Sequence, residues 1–503
     1  MKIMRYLPNG TWMQKADEDT IQNIGIPSMV LMERAALKTM DVMKEKKICR
    51  DRCLIVCGSG NNGGDGFAIA RLLHEEGKSV CAVFVGSESS MSEECRRQRA
   101  IAENLGVLIV TDIPQEEYTV VIDAVFGVGL SRPIAGRYAE VIETMNQKNG
   151  QKVAVDIPSG VSSFDGSILG TAFCADLTVS FACEKLGTVL FPGHEYSGEV
   201  VPVEIGISTR IFQDNPEVCY TLEKEDLPAM LPKRQKNSHK GTYGKILMIT
   251  GSRGMSGAAY LSAKAAYITG GGLVQIYTEE SNRVILQQLL PEAIVSTYTA
   301  YEEETLASLL GWADVVCIGC GLGKSEVSGQ ILEYVLKHLK MPCVVDADGL
   351  NLLALRKDLL LQKAKEIVLT PHMKEMVGML GCTIPELADA RFGKLQEFVR
   401  MYGVVCALKD ARTLVAAQDR QMFLNTAGNS AMAKAGSGDV LAGVITGLLA
   451  QHMSAYEAAV LGVYLHACGG DEARECCGAY SVLAQDLTDG IKTCIKETKR
   501  GEN

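Results

Sequence analysis

The stretch CLIVCGSGNNGGDGFAIARLLHEE, residues 53–76, decides the fold of the first half of the chain. Its apolar opening (53–57) predicts a buried strand, its glycine-rich centre (58–66) predicts a turn, and its end (67–76) predicts a helix. A strand that leads through a glycine turn into a helix is the repeating unit of parallel α/β sheets. We therefore expect an α/β domain whose ligands bind beyond the carboxyl ends of its strands.

Short apolar runs alternate with helical patterns on both sides of this stretch. We expect an amphipathic helix over 14–47 and a further helix over 92–105. Four more strands are expected at SVCAVFVG (79–86), TVVIDAVFG (119–127), KVAVDIPSG (152–160) and LTVSFAC (177–183). This spacing predicts right-handed crossovers and a mostly parallel sheet, as in a Rossmann-like doubly wound domain.

A second α/β pattern starts after the alternation lapses between about 207 and 241. It consists of a strand at KILMITGS (245–252), an Ala-rich helix at 258–270, the apolar runs LVQIYT (273–278), DVVCIGCG (314–321), CVVDADG (343–349), EIVLTPH (366–372) and VVCALKD (404–410), and long helices from 439 to about 495. We place the boundary near 215–222, which gives domains at 1–216 and 222–503.

Composition excludes several classes of function. A chain of 503 residues exceeds one ordinary core, and its 47% hydrophobic and 22% charged residues are typical of a globular enzyme. The net charge of −10 argues against a surface for nucleic acid or for anionic membranes. No apolar run reaches 18 residues and the opening 20 residues have no apolar signal core, so we expect a cytoplasmic protein.

The 17 cysteines raise the question of a metal site or disulfides. Cys317 and Cys320 form a CxxC pair, but no second pair and no His pair lies at zinc spacing. Most cysteines lie within apolar runs, so we interpret them as small buried residues in a reducing compartment.

The glycine turn does not fit a dinucleotide site. Gly58, Gly60 and Gly63 spell GxGxxG, but Asp65 inside the turn would oppose a bound pyrophosphate. Two asparagines and the aspartate instead offer ligands for a polar substrate or a hard cation. A plain glycine turn capped by Asp65 is the alternative.

Two aspartates end strands of the first half. Asp123 ends one strand and Asp156 ends the next, and Asn62 follows the first strand. Since the carboxyl ends of parallel strands meet at one edge, these three side chains are expected to converge. A single aspartate after a strand is more often a helix cap, but three polar strand ends followed by turns favour a site.

NSAMAKAGSGDVLAG, residues 429–443, is the strongest signal of the second half. Gly436, Ser437 and Gly438 precede a helix, so their N–H groups are expected to face an anion. Asp439 at the helix start is placed to accept a proton from a hydroxyl during phosphate transfer, as in ribokinase-like kinases, which this arrangement resembles. A glycine-rich cap with a dipole-stabilising aspartate is the alternative.

The order of motifs in the first half resembles the YjeF amino-terminal domain, the NAD(P)HX epimerase. GIPSMVLMERAA (25–36), GSGNNGGDG (58–66), DAVFGVGLSRPIAGRY (123–138) and DIPSGV (156–161) carry a resemblance that spans about 10–210. It implies that the hydrated nucleotide contacts Asn61, Asn62, Gly63, Gly64, Asp65, Gly127, Val128, Gly129, Leu130, Ser131, Arg132, Pro133, Tyr138 and Asp156. It also implies K⁺ bound by Asn62, Asp123 and Ser159, and Asp156 is our candidate acid/base.

The second half resembles the ribokinase-like NAD(P)HX dehydratase over about 225–497. The resemblance rests on residues 239–274, IGCGLG (318–323), VVDADGLN (344–351), TPHMKEM (370–376) and KDART (409–413). It implies the hydrated nucleotide at Ala258, Gly321, His372 and Asp439, and ADP at Lys409, Asp410, Ala411, Arg412, Thr413 and Gly438. Asp439 is the expected catalytic base, and Glu375 is a candidate ligand for a Mg²⁺-bound water.

Four positions depart from the dehydratase pattern. Met373 and Lys374 replace the usual Pro and Gly after the histidine, Asp410 replaces a Gly, and Cys320 replaces a Pro. A negative charge at Asp410 puts the binding of phosphates in doubt. Gly436, Gly438 and Asp439 are intact, so activity is expected to survive.

The two resemblances together imply a repair enzyme for NADHX and NADPHX. It would interconvert their R and S epimers and dehydrate the S epimer with ADP, giving AMP and phosphate, and a homo-oligomer is implied. The alternatives are a ribokinase-like small-molecule kinase and, for the first half, a non-catalytic nucleotide-binding or interaction module.

Overall fold

Residues 1–220 form one unit of the fold, unit 1, and residues 221–503 form the other, unit 2. The computed structural model describes residues 5–361 and 366–498. No helix within these two ranges is long and apolar enough to cross a membrane. The domain limits 1–216 and 222–503 stay predictions about where each activity is encoded.

A seven-stranded parallel sheet in the order β4-β3-β2-β5-β6-β7-β8 organises unit 1. The strands up to the unit boundary are β1 (Arg5–Leu7), β2 (Arg52–Cys57), β3 (Ser79–Phe84), β4 (Leu108–Val110), β5 (Val120–Ala124), β6 (Gln151–Val155), β7 (Leu177–Phe181), β8 (Glu199–Val203) and β9 (Cys219–Thr221). The helices are α1 (Gly10–Asp19), α2 (Ser28–Glu45), α3 (Asn61–Glu75), α4 (Glu93–Asn104), α5 (Arg137–Gln147), α6 (Leu186–Val189) and α7 (Gly193–Ser197). The strand order reverses between β2 and β5, which confirms the doubly wound fold and opens a crevice at their carboxyl ends.

Both faces of this sheet are buried, which explains the unbroken apolar run of β2. Cys53, Ile55 and Cys57 pack into the core on one face, and Leu54 and Val56 pack into the core on the other. Parallel sheets covered on both sides require such runs rather than an alternating pattern. The faces of β2 are therefore occupied by the core, and its carboxyl end remains available for a site.

The single helix expected over 14–47 is wrong. Helix α1 ends in a π-helical turn at Thr20–Ile24, Gly25 is left-handed with φ of +87°, and Pro27 precedes α2. A left-handed residue and a proline each end a regular helix. The chain therefore forms two helices here, and α1 borders the crevice with its own side chains.

The helix expected over 67–76 is wrong at its start, because α3 already begins at Asn61. The motif NNGGDG forms its first turns, so Asp65 lies in a helix and not in a turn. A Cβ on Gly63 would lie 1.9 Å from the carbonyl oxygen of Gly58. Glycine at 63 therefore lets the helix begin directly against the end of β2.

Replacing Gly63 by alanine should destabilise unit 1 by about 2 kcal/mol, because the new methyl group meets backbone that must shift. Gly60→Ala is the matched control, since no atom lies within 4 Å of its Cβ position and its φ is −86°. Urea unfolding followed by Trp12 fluorescence in a Trp312→Phe background measures both changes. Equal stability of the two variants would show that the contact at Gly63 is relaxed at no cost.

Unit 2 contains strands in the order β18-β17-β16-β15-β14-β13-β10-β11-β12. Its strands are β10 (Lys245–Ile249), β11 (Leu273–Glu279), β12 (Ile294–Tyr298), β13 (Val315–Ile318), β14 (Cys343–Val345), β15 (Ile367–Leu369), β16 (Val405–Leu408), β17 (Leu414–Ala416) and β18 (Phe423–Leu424). Its helices are α8 (Leu227–Met230), α9 (Ser256–Ile268), α10 (Arg283–Leu289), α11 (Glu303–Trp312), α12 (Glu326–His338), α13 (Asp348–Ala354), α14 (Asp358–Leu361), α15 (Met373–Leu380), α16 (Ile384–Asp389), α17 (Arg391–Tyr402), α18 (Ser437–Leu449), α19 (Ala455–Cys477) and α20 (Ala484–Thr498).

The strands expected in unit 2 are confirmed, and the structure adds three that the sequence patterns did not predict. Strands β10, β11, β12, β13, β14, β15 and β16 are parallel to one another. The added β17 and β18 are antiparallel and short, and β12 lies at an edge. All 17 cysteines are unpaired and most are buried, as expected.

Candidate active sites

A cavity of about 670 Å³ lies at the carboxyl ends of the strands in unit 1. The expected substrate residues that line it are Asn61, Asn62, Asp65, Gly127, Val128, Gly129, Leu130, Ser131, Arg132 and Asp156. Gly63, Gly64, Pro133 and Tyr138 are not part of its wall. The ring of Tyr138 instead packs against Phe126, with ring centroids 4.9 Å apart, and supports the wall from behind.

Asp156 reaches this cavity from the end of β6. It is one of the few non-glycine residues with a left-handed backbone, φ of +71°. Its Oδ1 accepts a hydrogen bond from the Phe181 N–H at 3.0 Å and forms an ion pair with the ammonium group of Lys185. Strain of this kind persists only where surrounding contacts hold it, and it is common at functional sites.

Lys185 and Asp17 are site residues that sequence reasoning missed. The Lys185 side chain is fully buried, and nothing in its local sequence announces a charge inside the protein. Asp17 lines the cavity from α1. The expectation of one continuous helix hid Asp17, because only the break after α1 shows which face meets the crevice.

Asp65 brings a further carboxyl group to the same cavity. Burial raises the pKa of Asp65 well above its usual range, and the carboxylates of Asp156 and Asp17 raise it further. Burial, with a contribution from Asp156, also raises the pKa of Asp17. Burial and mutual repulsion therefore both disfavour the charged form of these two carboxyl groups.

Asp123 and Ser159 form a buried polar pair beside this cavity. The Asp123 carboxylate accepts from the Ser159 N–H and O–H, both at 2.7 Å, and from the Val125 N–H at 3.2 Å. Burial raises the pKa of Asp123 to about 6, although these hydrogen bonds act in the opposite direction. Within residues 5–361 and 366–498, no lysine or arginine forms an ion pair with it.

Asn62 lies against the loop at Gly127. Its Cβ is 3.4 Å from the Cβ position of Gly127, and its Nδ2 is buried without a hydrogen-bond partner. The carboxylate of Asp123, which has no lysine or arginine partner among the described residues, and the hydroxyl group of Ser159 are oxygen ligands that suit a hard monovalent cation. The residues expected to bind K⁺ are thus compatible with it.

The corresponding edge of unit 2 is organised around Asp346, at the end of β14. Its Oδ1 accepts from Lys409 Nζ and from Thr370 Oγ1, both at 2.7 Å, and its Oδ2 lies 3.6 Å from Cys320 Sγ. A Cβ on Gly438 would lie 3.3 Å from Lys409 Nζ. Asp346 lies within a motif that carried the resemblance, but sequence reasoning gave it no role.

Asp439 enters this group from the first turn of α18, whose N-cap is the left-handed Gly436. Burial and the neighbouring Asp346 raise the pKa of Asp439 to about 6. One ligand atom from each of Cys320, Asp346 and Asp439 lies within 4.8 Å of the others. The predicted helix start is therefore beside a lysine and a carboxylate cluster.

His466 supports the start of α18 and was also missed. Its Nε2 lies 3.2 Å from Ser437 Oγ. Burial lowers the pKa of His466 to about 4, so the ring is neutral at pH 7. The residue lies within the long helix α19, where the sequence pattern gives no sign of a site.

Ala258, Gly321 and His372 are the other residues of unit 2 that are expected to contact the hydrated nucleotide. Ala258 and Gly321 are in contact, since a Cβ on Gly321 would meet the Ala258 Cβ at 2.8 Å. His372 is half exposed and caps α15 by accepting from the Glu375 N–H at 3.1 Å. Burial raises the pKa of Glu375, while Lys409 acts in the opposite direction.

Comparison with known proteins decides between the alternatives. Residues 28–187 match the family described as YjeF-related protein N-terminus, and residues 246–493 match the family described as NAD(P)H-hydrate dehydratase. A bifunctional NAD(P)H-hydrate repair enzyme of Moorella thermoacetica is 34% identical over 98% of this chain and 97% of its own. This chain belongs to the family of bifunctional NAD(P)H-hydrate repair enzymes.

Solved structures share their fold with the second half. A ribokinase-like superfamily protein of Enterococcus faecalis is 30% identical, with 55% of this chain and 95% of that chain covered and a TM-score of 0.51. An ADP/ATP-dependent NAD(P)H-hydrate dehydratase of Bacillus subtilis, co-crystallised with ATP and Mg²⁺, is 31% identical over 55% and 97%, with a TM-score of 0.48. By its two family matches and its full-length relatives, the chain is an enzyme that joins an epimerase-type and a dehydratase-type domain, and a small-molecule kinase is not favoured.

Within this family pattern, the departure at Asp410 is electrostatically balanced. Its Oδ2 lies 3.5 Å from an Arg391 guanidinium nitrogen, and its Oδ1 accepts from the Ala411 N–H at 2.9 Å. Arg412 donates to the carbonyl oxygen of Thr426. The extra carboxylate of Asp410 is therefore paired with the guanidinium group of Arg391 and held by the N–H of Ala411.

Removal of Arg391 should weaken nucleotide binding more than removal of Asp410. Arg391→Ala leaves an unpaired carboxylate, which should raise the KM for the adenine nucleotide about fivefold, the effect of about 1 kcal/mol. Asp410→Gly should leave that KM within about twofold, and the double variant should return to the wild-type value. A tenfold lower KM for Asp410→Gly alone would show that the carboxylate does repel the phosphates.

Proposed function

We propose that the enzyme epimerises R and S NADHX and NADPHX in unit 1 and dehydrates the S epimers in unit 2. The dehydration would use ADP and yield NADH or NADPH, AMP and phosphate. One observation supports this most: each family motif brings a partly buried aspartate, Asp156 or Asp439, to the carboxyl-end edge of its own sheet. The family's two reactions both require an acid or base at such an edge.

In unit 1 we infer that Asp156 exchanges a proton with the hydroxyl group on C6 of the substrate. Inversion at C6 requires its C–O bond to break and to re-form on the other face. Asp156 gives a proton to the departing oxygen, which leaves as water with the bonding electrons while the ring nitrogen stabilises the cation. When water adds to the opposite face, its surplus proton passes to the carboxyl groups of the cavity wall, Asp17, Asp65 and Asp156, so that the protein regains the proton that it gave.

The cavity wall supplies the rest of this proposed site. The residues expected to contact the nucleotide are those at 61–65 and 127–133 together with Tyr138 and Asp156, of which the wall contains the majority. Asn62, Asp123 and Ser159 would hold K⁺. Such an ion would compensate the buried charge of Asp123 and stabilise the two loops it joins.

In unit 2 we infer that Asp439 takes the proton of the C6 hydroxyl group. The hydroxyl oxygen attacks the β-phosphorus of ADP, and AMP leaves with the electrons of the broken P–O bond. Phosphate then leaves C6 with the C–O electrons, and loss of a proton from C5 forms the C5=C6 double bond. Phosphorylation is useful because it converts hydroxide, a poor leaving group, into phosphate.

Groups at the start of α18 are suited to stabilise this transfer. The N–H groups of residues 436–438 and the ammonium group of Lys409 would face the transferred phosphoryl group. Ala258, Gly321 and His372 would contact the hydrated nucleotide, and residues 409–413 with Gly438 would contact ADP. Carboxylates of Glu375 and Asp346 would hold Mg²⁺, directly or through water, and the ion would neutralise phosphate charge.

The same proposal includes a cytoplasmic location and a homo-oligomeric state, as the family resemblance implies. The partners are then single nucleotides, which would be bound by hydrogen-bond donors within each site. The net charge of −10 does not oppose this, because backbone N–H groups at the two edges and Lys409 in unit 2 would receive the anionic groups.

Two variants test the division of labour. With ADP and a mixture of R and S NADHX, the wild type should regenerate NADH from both epimers, measured by absorbance. Asp156→Asn should recover the S share only, and Asp439→Asn should recover none while still equilibrating the epimers, as separated by chromatography. Full recovery by Asp156→Asn would reject its role.

Exposed aspartates provide matched controls for these substitutions. Asp41→Asn and Asp489→Asn, more than half exposed, should leave both activities unchanged. A stable phosphorylated product made from ATP, without NADH, would instead favour the kinase alternative.

Dehydration should depend on pH through Asp439. Because its pKa is raised to about 6, the carboxylate is fully ionised only above that pH. The kcat/KM for S-NADHX should therefore fall as pH decreases through about 6, approaching tenfold per unit below it. A profile that stays flat down to pH 4.5 would contradict Asp439 as the base.

A further inference from the structure

Lys185 is a charged side chain placed where charge is costly. It follows β7, and its side chain is fully buried. Its ammonium group forms the ion pair with Asp156 and also donates to Phe181 O at 2.8 Å and Ser180 Oγ at 3.1 Å. All three donor positions of the ammonium group are thus used by fixed oxygen atoms.

Burial of this kind does not by itself stabilise a fold. The desolvation cost of two charges can equal or exceed their attraction, so a well-packed apolar pair would serve stability at least as well. A buried pair at the edge of a cavity therefore suggests a functional reason. The carboxylate of this pair, Asp156, belongs to the cavity wall.

The contacts of Asp156 leave one of its oxygens available. Both Lys185 and the Phe181 N–H bond to Oδ1, and no other described residue bonds to Oδ2. The left-handed backbone of Asp156 is held by its own N–H, which donates to Val179 O at 2.8 Å. Backbone and side chain are therefore both immobilised, with a single oxygen unengaged by protein.

The other carboxyl groups of the cavity have no such partner. Among the ion pairs of residues 5–361 and 366–498, neither Asp17 nor Asp65 is matched with a lysine or arginine. Lys185 thus distinguishes Asp156 from two neighbouring carboxyl groups in the same wall. Asp156 is therefore held in one position by a charged partner, whereas Asp17 and Asp65 are not.

We propose that Lys185 is a positioning residue for epimerisation, which holds Oδ1 of Asp156 so that Oδ2 alone exchanges the proton with the substrate. The inference rests on the proposed epimerase function of unit 1. Lys185 does not touch the substrate and acts only through Asp156. Its loss should therefore affect the chemical step and not binding.

A double-mutant cycle tests this role. Lys185→Met and Lys185→Gln should each lower the kcat for conversion of R to S NADHX about 100-fold, with KM within about threefold, because a misplaced acid/base loses that much. Combining Lys185→Met with Asp156→Asn should lose no more than Asp156→Asn alone. A kcat near wild type, or losses that multiply in the double variant, would overturn the proposal.

Controls separate this inference from the proposed function. Absence of epimerisation by the wild type would reject the function itself, whereas active wild type with active Lys185 variants rejects only the positioning role. Lys46→Met, at an exposed lysine paired with Glu199, should leave kcat unchanged.

A milder variant covers the case in which the Lys185 variants fail to fold, as shown by loss of the unit 1 unfolding transition. Ser180→Ala removes one of the three oxygen partners of Lys185 and keeps its charge. It should lower kcat several-fold at constant KM. Unchanged kcat in a folded Ser180→Ala would then overturn the proposal.

Discussion

Burial of carboxylates at the carboxyl ends of parallel strands is the constraint on which both candidate sites depend. A carboxylate removed from water costs free energy unless a partner compensates it. The two units solve this in the same way, since Lys185 pairs with Asp156 and Lys409 pairs with Asp346. Burial lowers the pKa of Lys409, but Asp346 and Glu375 outweigh it and leave that pKa above its usual value.

The elements around these pairs serve to hold them. In unit 1, β2 and β5 are the neighbouring strands between which the strand order reverses, and α3 starts so close to β2 that only glycine fits at Gly63. In unit 2, α18 starts at the left-handed Gly436 and presents Asp439 next to Asp346. In both units, the position at which a helix begins therefore determines where the side chains of the candidate site lie.

Much of this organisation follows from patterns of neighbouring residues. Apolar runs predicted most of the central strands, and the motifs containing Asp123 and Asp156 predicted two strand ends that lie at or beside the cavity. What the patterns could not show depends on contacts between distant segments. Lys185 and His466 look like surface or helix residues in sequence, and only packing buries them, while the start of α3 required knowledge of how closely Gly63 approaches Gly58.

The central claim is that each sheet edge carries one complete reaction. Complementation between two inactivated chains measures this directly: equal amounts of the Asp156→Asn and Asp439→Asn proteins are mixed with R and S NADHX and ADP. Because the S epimer made by one chain can diffuse to the other, the account predicts recovery of all the NADH at a reduced rate. Recovery limited to the initial S share, with both single activities intact, would contradict it.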